Sequence, residues 1–453
     1  MAIKHTLGRM VLAGALVGGL AACDDEETVA PGGLVDDGSV ACQDGLIAQA
    51  GRCALTGTYT RNLTLTADKE YLLIGGVFID GGATLKIDAG VTLKGDLDQL
   101  SFLAIARGAK IDAVGTAAAP IVFTSSQPEG QRARGDWGGL IINGAAPING
   151  CDAPPCTADG EGDTGNYGGS DPNDNSGKLK YVRVEFAGRL ISEGNELNGI
   201  AFQGVGAGTE VDYVQVHFNK DDGVEFFGGT VNAKHLLLTG IGDDSLDWTD
   251  GWIGKAQYVL AVQYPGDGDQ GIEADNNGDN NSAAPRSKPT LSHVTLVGSG
   301  GDDSDIGMLI REGTGAELAN VIVTNFGEAC FSLDQAETAL NAWDADAMAL
   351  SGELTLHHSI AWCPSSASFL DGDDLGGSAP FTTEAFFSTL NEGNQIIDPA
   401  LMDLAGRDYR PAMGSPAASG AVTPADPFFE QAAFIGALGD TDWTAGWATW
   451  AEN

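Results

Sequence analysis

Apolar and polar residues alternate over short stretches through most of the chain. The alternation is clean over residues 83–88 and 90–94, and short apolar runs follow at 102–105 and 121–124. A period of two places successive side chains on opposite faces of a β-strand. Helical periodicity is nearly absent, and 65 glycines are available for tight turns. The pattern therefore predicts an all-β protein with many short strands.

One apolar pattern recurs in the middle of the chain. Apolar residues occupy its first, fourth and sixth positions, and its copies begin at Leu179, Val211, Leu291 and Leu318. Each copy is followed by polar turn residues and another short strand. Such repeats are typical of a solenoid, in which each coil buries its apolar face against its neighbours. The pattern predicts a parallel β-helix, which is right-handed because parallel crossovers almost always are.

The first residues have the composition of a lipoprotein signal peptide. Lys4 and Arg9 precede a short apolar stretch that ends in Leu-Ala-Ala-Cys at residues 20–23. This ending resembles the bacterial lipoprotein box, which implies cleavage before Cys23 and lipidation of Cys23 by fatty acids such as palmitate. We expect four parts: a signal peptide over 1–22, an acidic flexible tether over 23–54, the β-helix over 55–425 and a Trp-rich cap over 426–453.

The tryptophans of the C-terminal part are spaced like one face of a helix. Trp443, Trp447 and Trp450 lie four and three residues apart, although Gly446 weakens a helical assignment. We expect these side chains to cover the open end of the last coil; stacking against a sugar is the alternative.

Seven cysteines leave six once Cys23 is assigned to the lipid. Six cysteines allow 15 connectivities, and proximity in sequence favours one of them. The expected disulfides are Cys42–Cys53, Cys151–Cys156 and Cys330–Cys363. Disulfides place the protein outside the cytoplasm. Thiolate metal sites and catalytic thiols are disfavoured, since no CxxC or CxxH cluster occurs.

The formal charge of −40 becomes two units more negative when Lys4 and Arg9 leave with the signal peptide. A chain this acidic repels nucleic acid and anionic lipid surfaces. It attracts divalent cations, or it has a solvated acidic surface without a specific ligand. No other apolar stretch is long enough to span a bilayer. The lipid is therefore the expected membrane link of a monomeric protein.

An acidic phrase recurs on successive predicted coils. Asp-Asp-Gly-Val-Glu at 221–225 returns as 243–247 and 269–273, and a weaker copy occupies 302–306. Strand alternation points the central apolar residue inward and the next acid outward. Glu225, Asp247 and Glu273 should thus form one outward column with a spacing of about 4.8 Å. Asp222 and Asp244, followed by Gln270, should form a second column.

Like charges so close are unfavourable, and three arrangements relieve them. Two charges about 5 Å apart repel by about 0.8 kcal/mol in water and about 3 kcal/mol at an effective dielectric of 20. The side chains splay into water, or a calcium ion binds between coils, or one carboxyl keeps its proton as a general acid does. The candidate calcium ligands are Asp222, Glu225, Asp244, Asp247 and Glu273.

An enzymatic interpretation has one concrete form. Asp221, followed one coil later by Asp243 and Asp244, is similar to the carboxylate arrangement of polygalacturonase-type glycosidases, which are also parallel β-helices. That family also carries Gly-His-Gly and Arg-Ile-Lys, and neither tripeptide occurs in this sequence. A lyase would need calcium and a basic side chain on the same face. Arg311 falls in the acidic column, but we expect Glu312 to pair with it.

Several phrases resemble a family of secreted, often lipid-anchored bacterial proteins. They lie at residues 121–128, 135–140, 181–188, 222–231 and 443–447. The resemblance implies a right-handed parallel β-helix on the surface of a Gram-negative bacterium, and it carries no catalytic residue because the family's activity is undefined.

We therefore expect a lipid-anchored, extracytoplasmic protein at the outer membrane or cell surface, acting in surface binding or envelope architecture. Its expected partners are the membrane, through the lipid, and a polysaccharide or another envelope protein, with calcium as a candidate stabilising ion. A polysaccharide-degrading enzyme and a passive acidic envelope protein without a ligand are the alternatives.

Overall fold

A computed structural model of the chain describes residues 34–43, 45–191, 196–266 and 268–453. The expected signal peptide, the expected lipidation site Cys23 and the first part of the expected tether lie outside the described residues. Within the described residues, no helix is long and apolar enough to cross a membrane.

The fold is all-β, as predicted, with short strands joined by turns and loops. The strands are β1 (Ile47–Gln49), β2 (Arg52–Tyr59), β3 (Leu63–Leu65), β4 (Glu70–Ile79), β5 (Thr84–Ile87), β6 (Thr92–Gly95), β7 (Phe102–Ile105), β8 (Lys110–Val114), β9 (Ile121–Ser125), β10 (Leu140–Asn143), β11 (Ala158–Asp159), β12 (Asn166–Tyr167), β13 (Gly177–Glu185), β14 (Ile200–Gln203), β15 (Glu210–His217), β16 (Val224–Phe227), β17 (Asn232–Thr239), β18 (Leu246–Thr249), β19 (Lys255–Val262), β20 (Ile272–Ala274), β21 (Thr290–Val297), β22 (Ile306–Ile310), β23 (Ala316–Thr324), β24 (Ala329–Leu333), β25 (Trp343–Asp344), β26 (Ala349–Leu350), β27 (Leu354–His357), β28 (Ile360–Trp362), β29 (Ala367–Asp371), β30 (Gln395–Ile396), β31 (Leu401–Asp403) and β32 (Asp408–Pro411). The helical turns are Glu161–Asp163, α1 (Ala336–Asn341), α2 (Thr383–Ala385), Phe386–Leu390 and Pro416–Ala418.

Twenty-six of these strands form one sheet that winds as a right-handed parallel β-helix. The β-helix has three faces. One of them, which we term the third face, is a ladder of short strands that runs from β7 and β10 through β14, β16, β18, β20, β22 and β24 to β29. The long strands β13, β15, β17, β19, β21 and β23 supply both other faces. Each acidic phrase therefore leads into a short strand of the third face.

Each long strand turns a corner at one residue in the left-handed region. These residues are Tyr181, Tyr213, His235, Tyr258, His293 and Asn320, with φ between 50° and 63°. The corner explains the spacing of the apolar pattern, since it brings two residues three positions apart to the same side. Leu179 and Val182 flank one corner, and both are completely buried.

The interior of the solenoid consists of apolar columns in register. Val214, Leu236, Val259, Val294 and Val321 follow one another on successive coils and are completely buried. Full burial of such a side chain contributes about 1.5–3 kcal/mol. The stacking therefore supplies the stability that no single coil can have.

The C-terminal segment, residues 420–453, lies along the side of the solenoid. The prediction that its tryptophans cover the open end is wrong, because Trp447 packs edge-on against Tyr181 and Tyr213 with centroid distances of 5.9 and 6.0 Å. The segment there forms turns rather than a helix, and Gly446 has a φ of +87°. The outer face of the middle coils is apolar and holds the segment: Leu237 lies beneath it, completely buried, in the same apolar cluster as Trp447.

Aromatic rings cover the C-terminal end of the coils instead. Phe387 packs against Phe331 and Phe369 at centroid distances of 5.2 and 5.0 Å. All three predicted disulfides, Cys42–Cys53, Cys151–Cys156 and Cys330–Cys363, are formed in the structure.

Candidate functional site

The acidic phrases stack in the predicted register. Glu225 on β16 lies opposite Asp247 on β18, and Asp247 lies opposite Glu273 on β20. The preceding residues Val224 and Leu246 point into the core and are completely buried. Strand alternation thus places the acids in one column on the outer side of the third face.

The second predicted column is a ladder of hydrogen bonds between coils. The backbone N–H of Asp244 donates to Asp222 Oδ1 at 3.1 Å, and that of Gln270 donates to Asp244 Oδ1 at 2.7 Å. Gln270 Oε1 accepts from Ile306 N at 3.2 Å. These side chains tie each turn to the next, so the ladder has a structural role whatever else it does.

The outward column is not exposed to solvent, contrary to the expectation. Glu225 and Asp247 are each only 8 % exposed. Asn198 donates from Nδ2 to Glu225 Oε2 at 2.5 Å and to Glu161 Oε2 at 3.4 Å. Glu161 belongs to the Gly- and Asp-rich insertion after Cys151, which therefore folds back over the acids. A fully solvated acidic face does not describe these side chains.

Eight carboxyl groups form one continuous cluster, which we term the acidic column. Its members are Asp221, Asp222, Glu225, Asp243, Asp244, Asp247, Asp269 and Glu273. They form four overlapping triads, within each of which one oxygen per residue lies within 4.8 Å of the others. Asp222, Asp243, Asp244 and Asp247 each belong to two triads. The column therefore concentrates negative charge along three coils.

Burial and mutual repulsion favour the protonated carboxyl groups. Burial, followed by the charge of Asp243, raises the pKa of Asp221 to about 7. Burial, followed by the charge of Asp275, raises the pKa of Glu273 to about 8. Burial and then Glu273 raise the pKa of Asp247 well above its usual value. At neutral pH the column must keep protons or gain cations.

Arg311 sits at one end of the acidic column. It donates to Glu273 Oε2 at 2.5 Å and to both oxygens of Asp275 at 3.0–3.1 Å. The expected pairing with Glu312 is thus replaced by these two partners. Burial opposes the charge of Arg311, but its bonds to Asp275 raise its pKa further. A guanidinium held in this way is unsuited to act as a base.

One oxygen of the column points to a missing ligand. Asp247 Oδ1 is buried and has no hydrogen-bond partner. Leaving such a group unpaired is unfavourable. Calcium binds oxygens at roughly 2.4 Å, so two ligands on opposite sides of the ion lie about 4.8 Å apart. The oxygens of each triad lie within that separation, and the predicted ligands Asp222, Glu225, Asp244, Asp247 and Glu273 all belong to the triads.

The three candidate catalytic aspartates are brought together as well. Asp221 and Asp243 share one triad, and Asp243 and Asp244 share another. The oxygens within a triad are closer than the roughly 6.5–9.5 Å separation that inverting hydrolysis uses to admit water. The arrangement suits ion binding better than placing a water molecule between an acid and a base.

Sequence reasoning missed three polar contributors. Asp275 follows Glu273 by two residues, so strand alternation could have indicated it. Asn198 occupies the position of Asp222 one coil earlier, since Ile200 lies opposite Val224, so the repeat could have indicated it. Glu161 comes from an insertion with no repeat relationship to the column, and only the folded chain shows it.

A family model described as a pectate-lyase-like β-helix domain matches residues 57–359. No curated protein matches the chain.

Proposed function

We propose that this chain, which belongs to the pectate-lyase-like β-helix domain family, is a calcium-stabilised envelope protein that presents a rigid acidic solenoid for surface binding. Lipidation at Cys23 would anchor it outside the cytoplasm, at the outer membrane or cell surface of a Gram-negative bacterium. The expected targets are a polysaccharide or another envelope protein.

The observation that carries this proposal is the unpaired, buried oxygen of Asp247 inside the acidic column. Arg311 and Lys220 are the cations that reduce the repulsion within the column. Two cations against eight carboxyl groups leave most of the charge uncompensated. A divalent ion held by Asp222, Glu225 and Asp247, or by Asp244, Asp247 and Glu273, would balance it and satisfy the unpaired oxygen.

Calcium would join successive coils in this arrangement. Each candidate triad contains residues from at least two of the stacked strands or the turns before them. An ion between coils would resist their separation, since it binds the folded state far better than the unfolded chain. This would suit a rod that must stay folded at a cell surface.

Thermal unfolding of the polypeptide that begins after Cys23 tests the proposal. EDTA should lower the melting temperature, and excess calcium should restore it, while magnesium should do so less well because it prefers a smaller octahedral site. Asp98→Asn, which removes an exposed acid, is the matched control for substitutions in the column. An identical melting temperature in EDTA and in millimolar calcium would refute the calcium site.

Polysaccharide cleavage is the second candidate, and the family match favours it only at the level of the fold. Asp221, Asp243, Asp269 and Glu273 are less buried than the rest of the column, so a substrate could approach them. Burial and Asp243 raise the pKa of Asp269 to about 6, which suits proton transfer near neutral pH. The test is release of reducing ends or unsaturated products from acidic polysaccharides, lost in Asp244→Asn. Absence of any product across a broad panel of polysaccharides would exclude this activity.

A further inference from the structure

A second polar site lies between the solenoid and the C-terminal part of the chain. It is a cavity of about 450 Å³, within the range of small-molecule sites. We term it the arginine cavity. The solenoid contributes Gln263, Tyr264, Ser299 and Asn325, and the C-terminal part contributes Arg407 and Glu452.

Arg407 provides the positive charge of this cavity. Its guanidinium lies over the ring of Tyr264 at 4.8 Å and near that of Trp450 at 5.8 Å. It donates to the backbone oxygen of Trp450 and to Glu452 Oε1, the latter at 3.2 Å. Two aromatic rings and a carbonyl therefore fix the guanidinium, and part of it still faces the cavity with a third of the side chain exposed.

Several arginines lie on this side of the solenoid although the whole chain carries a formal charge of −40. His217 lies near Tyr264, with a centroid distance of 6.4 Å. Burial, together with the charges of Arg183, Arg407 and Arg134, lowers the pKa of His217 to about 4. Three arginines thus lie near one buried side chain; Arg183 is paired with Glu185 at 2.9 Å, and Arg407 with the exposed Glu452.

Glu452 occupies the place that an external anion would take. Its carboxylate pairs with Arg407 but remains 66 % exposed, and such exposed pairs contribute little to stability. A ligand carboxylate or phosphate could therefore replace it at small cost. Tyr264, 7 % exposed, also has a hydroxyl group without a hydrogen-bond partner. The oxygen is itself buried, so a bound polar molecule would supply that partner once the side chain shifts toward the cavity.

We propose that the arginine cavity binds a molecule of monosaccharide size that carries a carboxylate or phosphate group. Arg407 pairs with the anionic group in place of Glu452. The hydroxyl of Tyr264 and the side chains of Ser299 and Asn325 provide hydrogen bonds to the polar body of the ligand. This binding does not depend on calcium, so it stands or falls separately from the proposed metal site.

Isothermal titration calorimetry with glucuronate, glucose 6-phosphate and glucose tests the proposal on the protein that begins after Cys23. At least one of the two anionic sugars should bind, and glucose should bind at least about tenfold more weakly, as expected for loss of a charge-assisted hydrogen bond. The stronger anionic sugar identifies the source as a carboxylate or a phosphate. Binding of neither anion, or equal binding of glucose, would overturn the proposal.

Three variants of the cavity and one control variant separate binding from folding. Arg407→Gln should weaken binding by about tenfold or more, whereas Arg410→Gln should not, because Arg410 pairs with Asp408 at 2.7 Å. Glu452→Gln should tighten binding several-fold, since it removes the internal competitor. If Arg407→Gln disturbs the C-terminal segment, Tyr264→Phe still tests the site by removing only a hydroxyl. Unchanged affinity in both Glu452→Gln and Tyr264→Phe would contradict the assignment.

Discussion

Replacing Asp247 by asparagine should have opposite effects on the protein with and without calcium. Asp247 shares triads with Asp222, Glu225, Asp244 and Glu273, so it is the most crowded acid of the outward column. Asparagine keeps the shape of the side chain and removes its charge. Its amide can also donate to a neighbouring carboxylate, which aspartate cannot do when ionised.

The size of the effect follows from the geometry. At 4.8 Å, the limit of each triad, two charges repel by about 3.5 kcal/mol at an effective dielectric of 20. Protonation limits the total, because holding a proton at pH 7 on a carboxyl with an ordinary pKa near 4 costs about 4 kcal/mol. Asp247→Asn should therefore stabilise the calcium-free protein by about 1–4 kcal/mol. For some 400 residues this is a rise of about 1–5 °C in melting temperature.

In calcium the sign should reverse. The variant lacks one ligand of two candidate triads, so the rise in melting temperature caused by calcium should shrink or vanish. Differential scanning calorimetry in EDTA and in millimolar calcium measures both effects, with Asp98→Asn as the control for a lost surface charge. A variant that is less stable than the parent in EDTA, or one with the parent's full response to calcium, would refute the reasoning.

Three further predictions concern the same protein. In EDTA its stability should fall as the pH rises from about 5 to 8, because Asp221 and Glu273 have pKa values raised to about 7 and 8 and hold protons that the unfolded chain has already lost. A melting temperature that stays constant or rises over this range would contradict this prediction. Calcium should reverse the dependence on pH. Arg311→Gln should destabilise the calcium-free protein by about 3–5 kcal/mol, as for a broken buried ion pair, and calcium should restore part of the lost stability. The control Arg410→Gln should have little effect on thermal unfolding. If calcium restored no stability to Arg311→Gln, Arg311 would not be coupled to the metal site. Trp447→Ala should weaken the packing of the C-terminal segment by about 3–5 kcal/mol. Limited proteolysis with mass spectrometry should then find cleavage after residue 420, while circular dichroism shows an intact β-helix. If the variant lost the packing of the segment and the β-helix together, the segment would be required for the fold.

The repeats were sufficient to predict the stacking of the coils. The apolar pattern at Leu179 and Val182 indicated two inward positions on one coil. The acidic phrases indicated which residues of successive coils lie opposite one another. Both predictions depend on local strand geometry and on the recurrence of the same phrase from coil to coil. The disulfides could be predicted for a similar reason, since two of the three pairs close short loops.

Local geometry does not indicate which outer surfaces other segments cover. The burial of the column was not predicted, because Glu161 lies in an insertion outside the repeats and reaches the column through Asn198, which bonds both Glu161 and Glu225. The prediction for the tryptophans failed because the outer face of the middle coils, with Leu237 buried beneath Trp447, offered a larger apolar surface than helix spacing could reveal.

The sequence alone determined the β-helix, its register and the identity of the acids that stack, because these follow from the period of two along strands and from the spacing of the repeats. Only the tertiary structure decided that the stacked acids are buried. Burial depends on contacts between segments far apart in sequence, and it is burial that turns a row of surface charges into a site with raised pKa values and an unpaired oxygen.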